Sequence, residues 1–85
     1  MAAKKILMEK AKLLEPVLRI GKNGLAEGII KEIKKQLEQK KLIKIKLLKA
    51  AIGDKDKKEL AREIARITNS ELIQQVGFVI VLYKR

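Results

Sequence analysis

Two glycines three residues apart, Gly21 and Gly24, enclose a lysine and an asparagine, and this is the stretch of the chain best suited to bind something. Glycine permits positive φ and lets another molecule approach the backbone with no Cβ in the way. Lys22 brings a formal charge, and Asn23 is polar and tolerates left-handed turn geometry. A helix expected to start just after Gly24 points unpaired N–H groups and the positive end of its dipole at the same place, which suits a phosphate. By itself a G-x-x-G also fits a plain tight turn from strand to helix, and it lacks the G-x-x-x-x-G-K-[ST] spacing of a P-loop.

Elsewhere the chain offers little reactive chemistry. It has neither histidine nor cysteine, so it lacks the usual bases, thiol nucleophiles and soft metal ligands. Ser70 and Tyr83 are its sole serine and tyrosine, and neither has an evident activating neighbour. Asp54 and Asp56 stand two apart before lysines, which resembles helix capping more than a cation site. We therefore expect no enzyme, no metal, no cofactor and no small-molecule substrate.

Charge supplies the second signal. Twenty-one Lys and Arg face ten Asp and Glu, a formal net charge of +11, and self-repulsion of this size points to a polyanionic partner. The excess is uneven: residues 1–22 carry six basic and two acidic groups, 23–53 eight and three, and 54–85 seven and five. The surplus thus lies in the first two thirds, around the glycine loop. Thermophile proteins are also rich in Lys, Glu and Ile, but they usually balance Lys with Glu. With one phenylalanine and one tyrosine, a stacking platform of several aromatics is disfavoured. Recognition of phosphate backbone and shape remains, which favours structured RNA.

These residues must be held by a small scaffold. Eighty-five residues suffice for one domain over 1–85 with an aliphatic core. No apolar run approaches a membrane span, and the basic N-terminus leads into no signal-peptide core, so a cytoplasmic protein is expected. Lys4 to Leu14 shows helical spacing in Ile6, Leu7, Ala11, Leu13 and Leu14, stopped by Pro16. Val17–Ile20 reads as a first strand. Leu25, Ile29, Ile33 and Leu37 then form the stripe of a second helix, from about Leu25 to Glu38. That helix also carries Lys31, Lys34 and Lys35 among Glu27, Glu32 and Glu38, and Glu27 with Lys31 makes an i,i+4 pair. Gly28 inside it suggests a close approach to a neighbouring element.

Leu42–Leu48 alternates, placing Ile43, Ile45 and Leu47 on one face and Lys44 and Lys46 on the other. Those lysines are either the wet side of a sheet or an extension of a basic surface. Asp56 and Glu59 have capping-box spacing before a third helix built on Leu60, Ala61, Ile64, Ala65 and Ile67, and Asn69 stops it. Its near-balanced charges read as scaffold. Leu72–Val76 and Phe78–Tyr83 suggest two strands joined at Gly77, the second apolar throughout and so a covered, central strand. The expected order is αβαβαββ, an α/β domain with the loop at the carboxyl end of strand one, where open sheets place ligands.

Several blocks together resemble a known family. Arg19-Ile20-Gly21-Lys22-Asn23-Gly24-Leu25, then Leu42–Lys46, then Ile67-Thr68 leading to Gln75-Val76-Gly77 and Val81–Arg85, are similar to the YhbY-like family, the single-domain form of the CRM domain of chloroplast RNA splicing and ribosome maturation. The resemblance covers the chain from about Leu13 onward. It implies an RNA-binding domain similar in fold to the C-terminal domain of translation initiation factor three, a four-stranded mixed sheet with helices whose G-x-x-G loop forms part of the RNA surface. It also implies ribosomal RNA or large-subunit assembly as the setting, with group II intron splicing the other role in the family. Where the family often has a basic residue after the late glycine, this chain has Phe78; Lys84 and Arg85 keep the basic ending. The candidate RNA-binding residues are Arg19, Gly21, Lys22, Asn23, Gly24, Lys31, Lys34, Lys35, Lys44 and Lys46. A contrasting reading is a structural module docking on an acidic protein surface.

Overall fold

The computed structural model describes residues 2–85. Its elements run α1 (Ala2–Ala11), β1 (Pro16–Ile20), α2 (Glu27–Lys40), β2 (Leu42–Leu47), α3 (Lys49–Ile52), α4 (Lys57–Ile67), β3 (Glu71–Val76) and β4 (Val79–Tyr83). The expected order is present, with one addition. The single-turn helix α3 follows β2 directly, and four residues are too few for a helical period to show in the sequence.

The strands form one sheet in the order β1-β2-β4-β3. β1 runs parallel to β2, and the other two pairings are antiparallel, so the sheet is mixed. β4 lies between two partners, and its Ile80, Val81 and Leu82 are all buried. This is the covered central strand that its unbroken apolar run predicts. Pro16 opens edge strand β1, where a missing N–H costs no ladder bond.

Alternation in β2 divides the sheet into two faces of unequal size. Ile43, Ile45 and Leu47 turn to the face covered by α2 and α4, where they meet Ile20, Ile33, Leu37, Leu60 and Ile64 in the main core. The other face is covered in part by α1, through a small cluster of Ala11, Ile73 and Val81 with Leu7 and Met8. A bulge between Leu72 and Gln74 re-aims β3, so that Leu72 packs on the main core while Ile73 joins the small one.

Two local expectations are corrected. Helix α1 ends at Ala11, and i→i−3 bonds from Lys12, Leu13 and Leu14 turn the chain toward β1, leaving Leu13 88% exposed and outside any core. Gly28 is not there for a close approach, since a Cβ added to it would meet nothing within 4 Å. It sits exposed in the first turn of α2, where no neighbour crowds it. In α4, by contrast, the Asp56 half of the expected capping box is present, while among the described residues the Glu59 side chain makes no return bond to the Asp56 N–H. The Asp56 side chain accepts from the Lys58 N–H at 3.0 Å, and Asn69 leaves the helix at φ 54°.

Candidate nucleic-acid interface

The glycine loop is a β-turn standing proud of the sheet. The Gly24 N–H donates to the Gly21 carbonyl at 2.9 Å, which puts Lys22 and Asn23 at the exposed corner. Positive φ falls on Gly24, at 60°, and not on Asn23. The turn therefore needs its second glycine for conformation, while Asn23 serves as an exposed polar group. Gly21 is needed less: a Cβ there would meet only Leu48 Cδ1, at 3.5 Å, an ordinary contact. Half-buried Leu25 packs against the core and anchors the turn from its far side.

Helix α2 starts two residues later than its apolar spacing predicts, at Glu27, with Ala26 as an N-cap whose side chain makes no capping bond. Glu27 lies in the first turn and so already faces the positive end of the dipole. Attraction for an anion at this place therefore rests more on Lys22 and the turn amides than on the helix end.

Around the loop the sheet register gathers further cations. Ile20 pairs with Leu47 and Arg19 with Lys46. Because paired residues of neighbouring strands share a face, Arg19 and Lys46 stand side by side on the face opposite the main core, both exposed. The Leu48 N–H donates to the Ile20 carbonyl at 2.9 Å, and the Leu47 N–H to the Phe78 carbonyl at 2.6 Å. These bonds bring the glycine loop, the start of α3 and the β3–β4 turn to one end of the molecule. With them come Lys49, Lys55 and Lys57, which line a shallow cavity of about 410 Å³ beside Phe78. Lys57 Nζ lies 4.5 Å from the centre of the Phe78 ring. So positive charge reaches the position after Gly77 from a neighbouring helix, although the residue there is phenylalanine.

The other candidate residues are placed differently. Lys31, Lys34 and Lys35 are exposed along α2, and Lys31 Nζ lies 3.4 Å from Glu27. Lys44 lies on the α1 side of β2, where its Nζ donates to the Leu14 carbonyl at 3.1 Å and ties down the α1–β1 connection. It alternates in step with Lys46, yet only Lys46 stands beside the loop's own strand end. The lysines not among the sequence candidates are Lys49, Lys55 and Lys57, the last in the helix read as scaffold from its balanced charge. Their signal is tertiary, since the β1–β2 pairing sets the end of β2, with Lys49 just beyond it, beside the loop, and Lys55 and Lys57 line the same cavity as Lys49.

Among the described residues no group of three His, Cys, Asp or Glu is placed to hold a metal ion, and no helix is long and apolar enough to cross a membrane. A second, wider cavity, about 650 Å³, opens elsewhere, between the α1–β1 connection and the end of α2. It is a wide groove whose lining mixes Lys40 and Lys44 with Glu15 and exposed leucines, and it lacks the concentration of cations seen around the loop.

Comparison with known proteins identifies the family. Residues 1–84 match the CRS1 / YhbY (CRM) domain, and the chain belongs to that family. It is 43% identical over 81 residues to the probable RNA-binding protein MJ0652 of Methanocaldococcus jannaschii, covering 95% of this chain and 60% of that protein. It is 37% identical to the probable RNA-binding protein YqeI of Bacillus subtilis, over 95% of this chain and 82% of that one. The solution structure of the hypothetical protein SAV1595 from Staphylococcus aureus superposes with a TM-score of 0.79 at 39% identity, covering 96% of this chain and 83% of that one.

Proposed function

We propose that this CRM-family protein binds structured RNA through its Gly21–Gly24 loop and the cations around it. The observation that carries the reading is the exposed Lys22-Asn23 corner at the end of the molecule where Arg19, Lys46 and Lys49 have no carboxylate within 4.0 Å among the described residues. Those side chains are free to displace counterions from a phosphate chain, which is the main source of sequence-independent affinity for nucleic acid. The naming of several relatives as RNA-binding proteins supports the same partner.

Ribosomal RNA, within assembly of the large subunit in the cytoplasm, is the setting we assign, and the protein acts there as a binding module without catalysis. A titration of a folded ribosomal RNA fragment at several salt concentrations tests it. Log affinity should fall by roughly 0.7 to 0.9 for each log unit of salt and each phosphate contacted. Binding indifferent to salt, or partners recovered from cells unchanged after ribonuclease, would point instead to an acidic protein surface.

A further inference from the structure

We infer that the cavity beside Phe78 seats one unpaired nucleotide of the bound RNA, its base against the Phe78 ring and its phosphate among Lys49, Lys55 and Lys57. The inference rests on the RNA-binding reading above and adds to it a preference for RNA with an extruded base. Its starting point is the one phenylalanine of a protein whose apolar residues are almost all aliphatic. Phe78 sits in the two-residue turn between β3 and β4, half-buried, with part of its ring on the main core and part lining the cavity. An aromatic face that opens beside a row of ammonium groups has the two features a nucleotide needs, a π surface for the base and positive charge for the phosphate.

Charge complementarity sets the occupant. Three lysines line the cavity with a single carboxylate, Asp56, whose side chain is engaged in accepting from the Lys58 N–H. Glu63 reaches Lys55 only at 4.0 Å, both groups being partly or largely exposed. The Lys57 ammonium over the ring marks where a base would lie: a base stacking there takes its place, and the ammonium, on its flexible stem, turns to the phosphate. Position supports the same occupant. The Phe78 carbonyl accepts from the Leu47 N–H, and the Leu48 N–H donates to the carbonyl of Ile20, the residue before Gly21, so the cavity opens at the loop's end of the sheet. An RNA whose paired stem lies on the loop brings a neighbouring bulged nucleotide to this end of the sheet. A single ring holds a single base, which agrees with the absence of a multi-aromatic platform from this sequence.

The test uses two hairpin RNAs, one with a fully paired stem and one with a single bulged 4-thiouridine in the same stem. The whole chain should bind the bulged hairpin about 5- to 150-fold more tightly, the span of one base–aromatic stack. Phe78→Leu, which keeps an apolar side chain on the core, should lose that preference while binding the paired hairpin as before. Lys57→Gln should weaken binding of the bulged hairpin more than of the paired one. Irradiation should crosslink the 4-thiouridine to Phe78 or to peptides spanning residues 49–57. Equal affinity for the two hairpins, a preference that survives Phe78→Leu, or a crosslink confined to other segments would overturn the inference and leave the loop reading intact. Failure of the loop reading looks different: Lys22→Glu would then leave both affinities unchanged.

Discussion

The two ends of the sheet are both rich in lysine, and they use it in opposite ways. At the end holding the start of β1 and the close of α2, lysines act as ties. Lys44 bonds the Leu14 carbonyl, and Lys84 pairs with Glu38 while its N–H donates to the Lys41 carbonyl at 2.8 Å. Each such contact joins segments distant in sequence. At the loop end, Lys22, Lys46 and Lys49 extend from a turn, a strand end and a one-turn helix with no carboxylate partner within 4.0 Å among the described residues. Self-repulsion there destabilises the fold slightly, while a polyanion would convert it into binding. A charge that closes the structure is thus separated in space from a charge left open to a partner.

The sharpest way to break this contrast is to reverse a charge at each end. Lys22→Glu should weaken RNA binding about tenfold at moderate salt and flatten the salt slope by about one unit, by losing one phosphate contact and adding repulsion. Its melting temperature should stay within a degree or two of the parent, because Lys22 is exposed at the turn corner. Anisotropy and a thermal melt together decide it, and a large drop in stability would mean that the loop is structural.

A second experiment compares the two glycines of the loop. Gly24→Ala places a Cβ at φ 60° and should cost about 1–2 kcal/mol. Gly21→Ala should cost much less, since its Cβ meets only the end of a leucine side chain. Equal losses in denaturant unfolding would show that the turn geometry is misassigned.

At the closed end Lys44→Ala should cost about 0.5–1.5 kcal/mol, the net value of one hydrogen bond, and leave RNA affinity nearly unchanged. A fall in affinity comparable to that of Lys22→Glu would erase the distinction between the ends. The smallest expected effect concerns acid. The Lys84 ammonium, by hydrogen bond and by charge, and then Lys41, hold the Glu38 carboxyl below the usual glutamate range. A depressed carboxyl stabilises the fold above its unfolded pKa and loses that contribution as pH falls through the folded value. Glu38→Gln should therefore remove a small part of the acid-side loss of stability below about pH 4.3, seen as a flatter dependence of melting temperature on pH. Because Glu38 is exposed, the change should be slight.

Much of this could be read before any coordinates. The period of two in Leu42–Leu47 and the spacing of four in Leu25–Leu37 give the strand and helix faces directly, because burial selects apolar residues on one side only. The unbroken apolar β4 announces a central strand for the same reason. Element ends were less legible. α2 begins two residues late because Leu25 spends its apolar side chain anchoring the turn, and α1 stops early because the chain must reverse before Pro16. The loop was legible as a candidate because its glycines and charge are adjacent in sequence.

What the amino-acid order determined by itself was therefore the local part: which residues face the core, where the turn with Lys22 and Asn23 stands, and that the molecule carries a large positive surplus. Tertiary structure alone decided which lysines share that turn's end of the molecule. Lys49, Lys55, Lys57 and Phe78 lie more than twenty residues away along the chain, and sheet pairing brings them to the loop, whereas Lys44, two residues from Lys46, is drawn off to close a connection. The reason is that electrostatic attraction depends on distance through space, and only the hydrogen-bonded register of β1, β2 and β4 sets those distances.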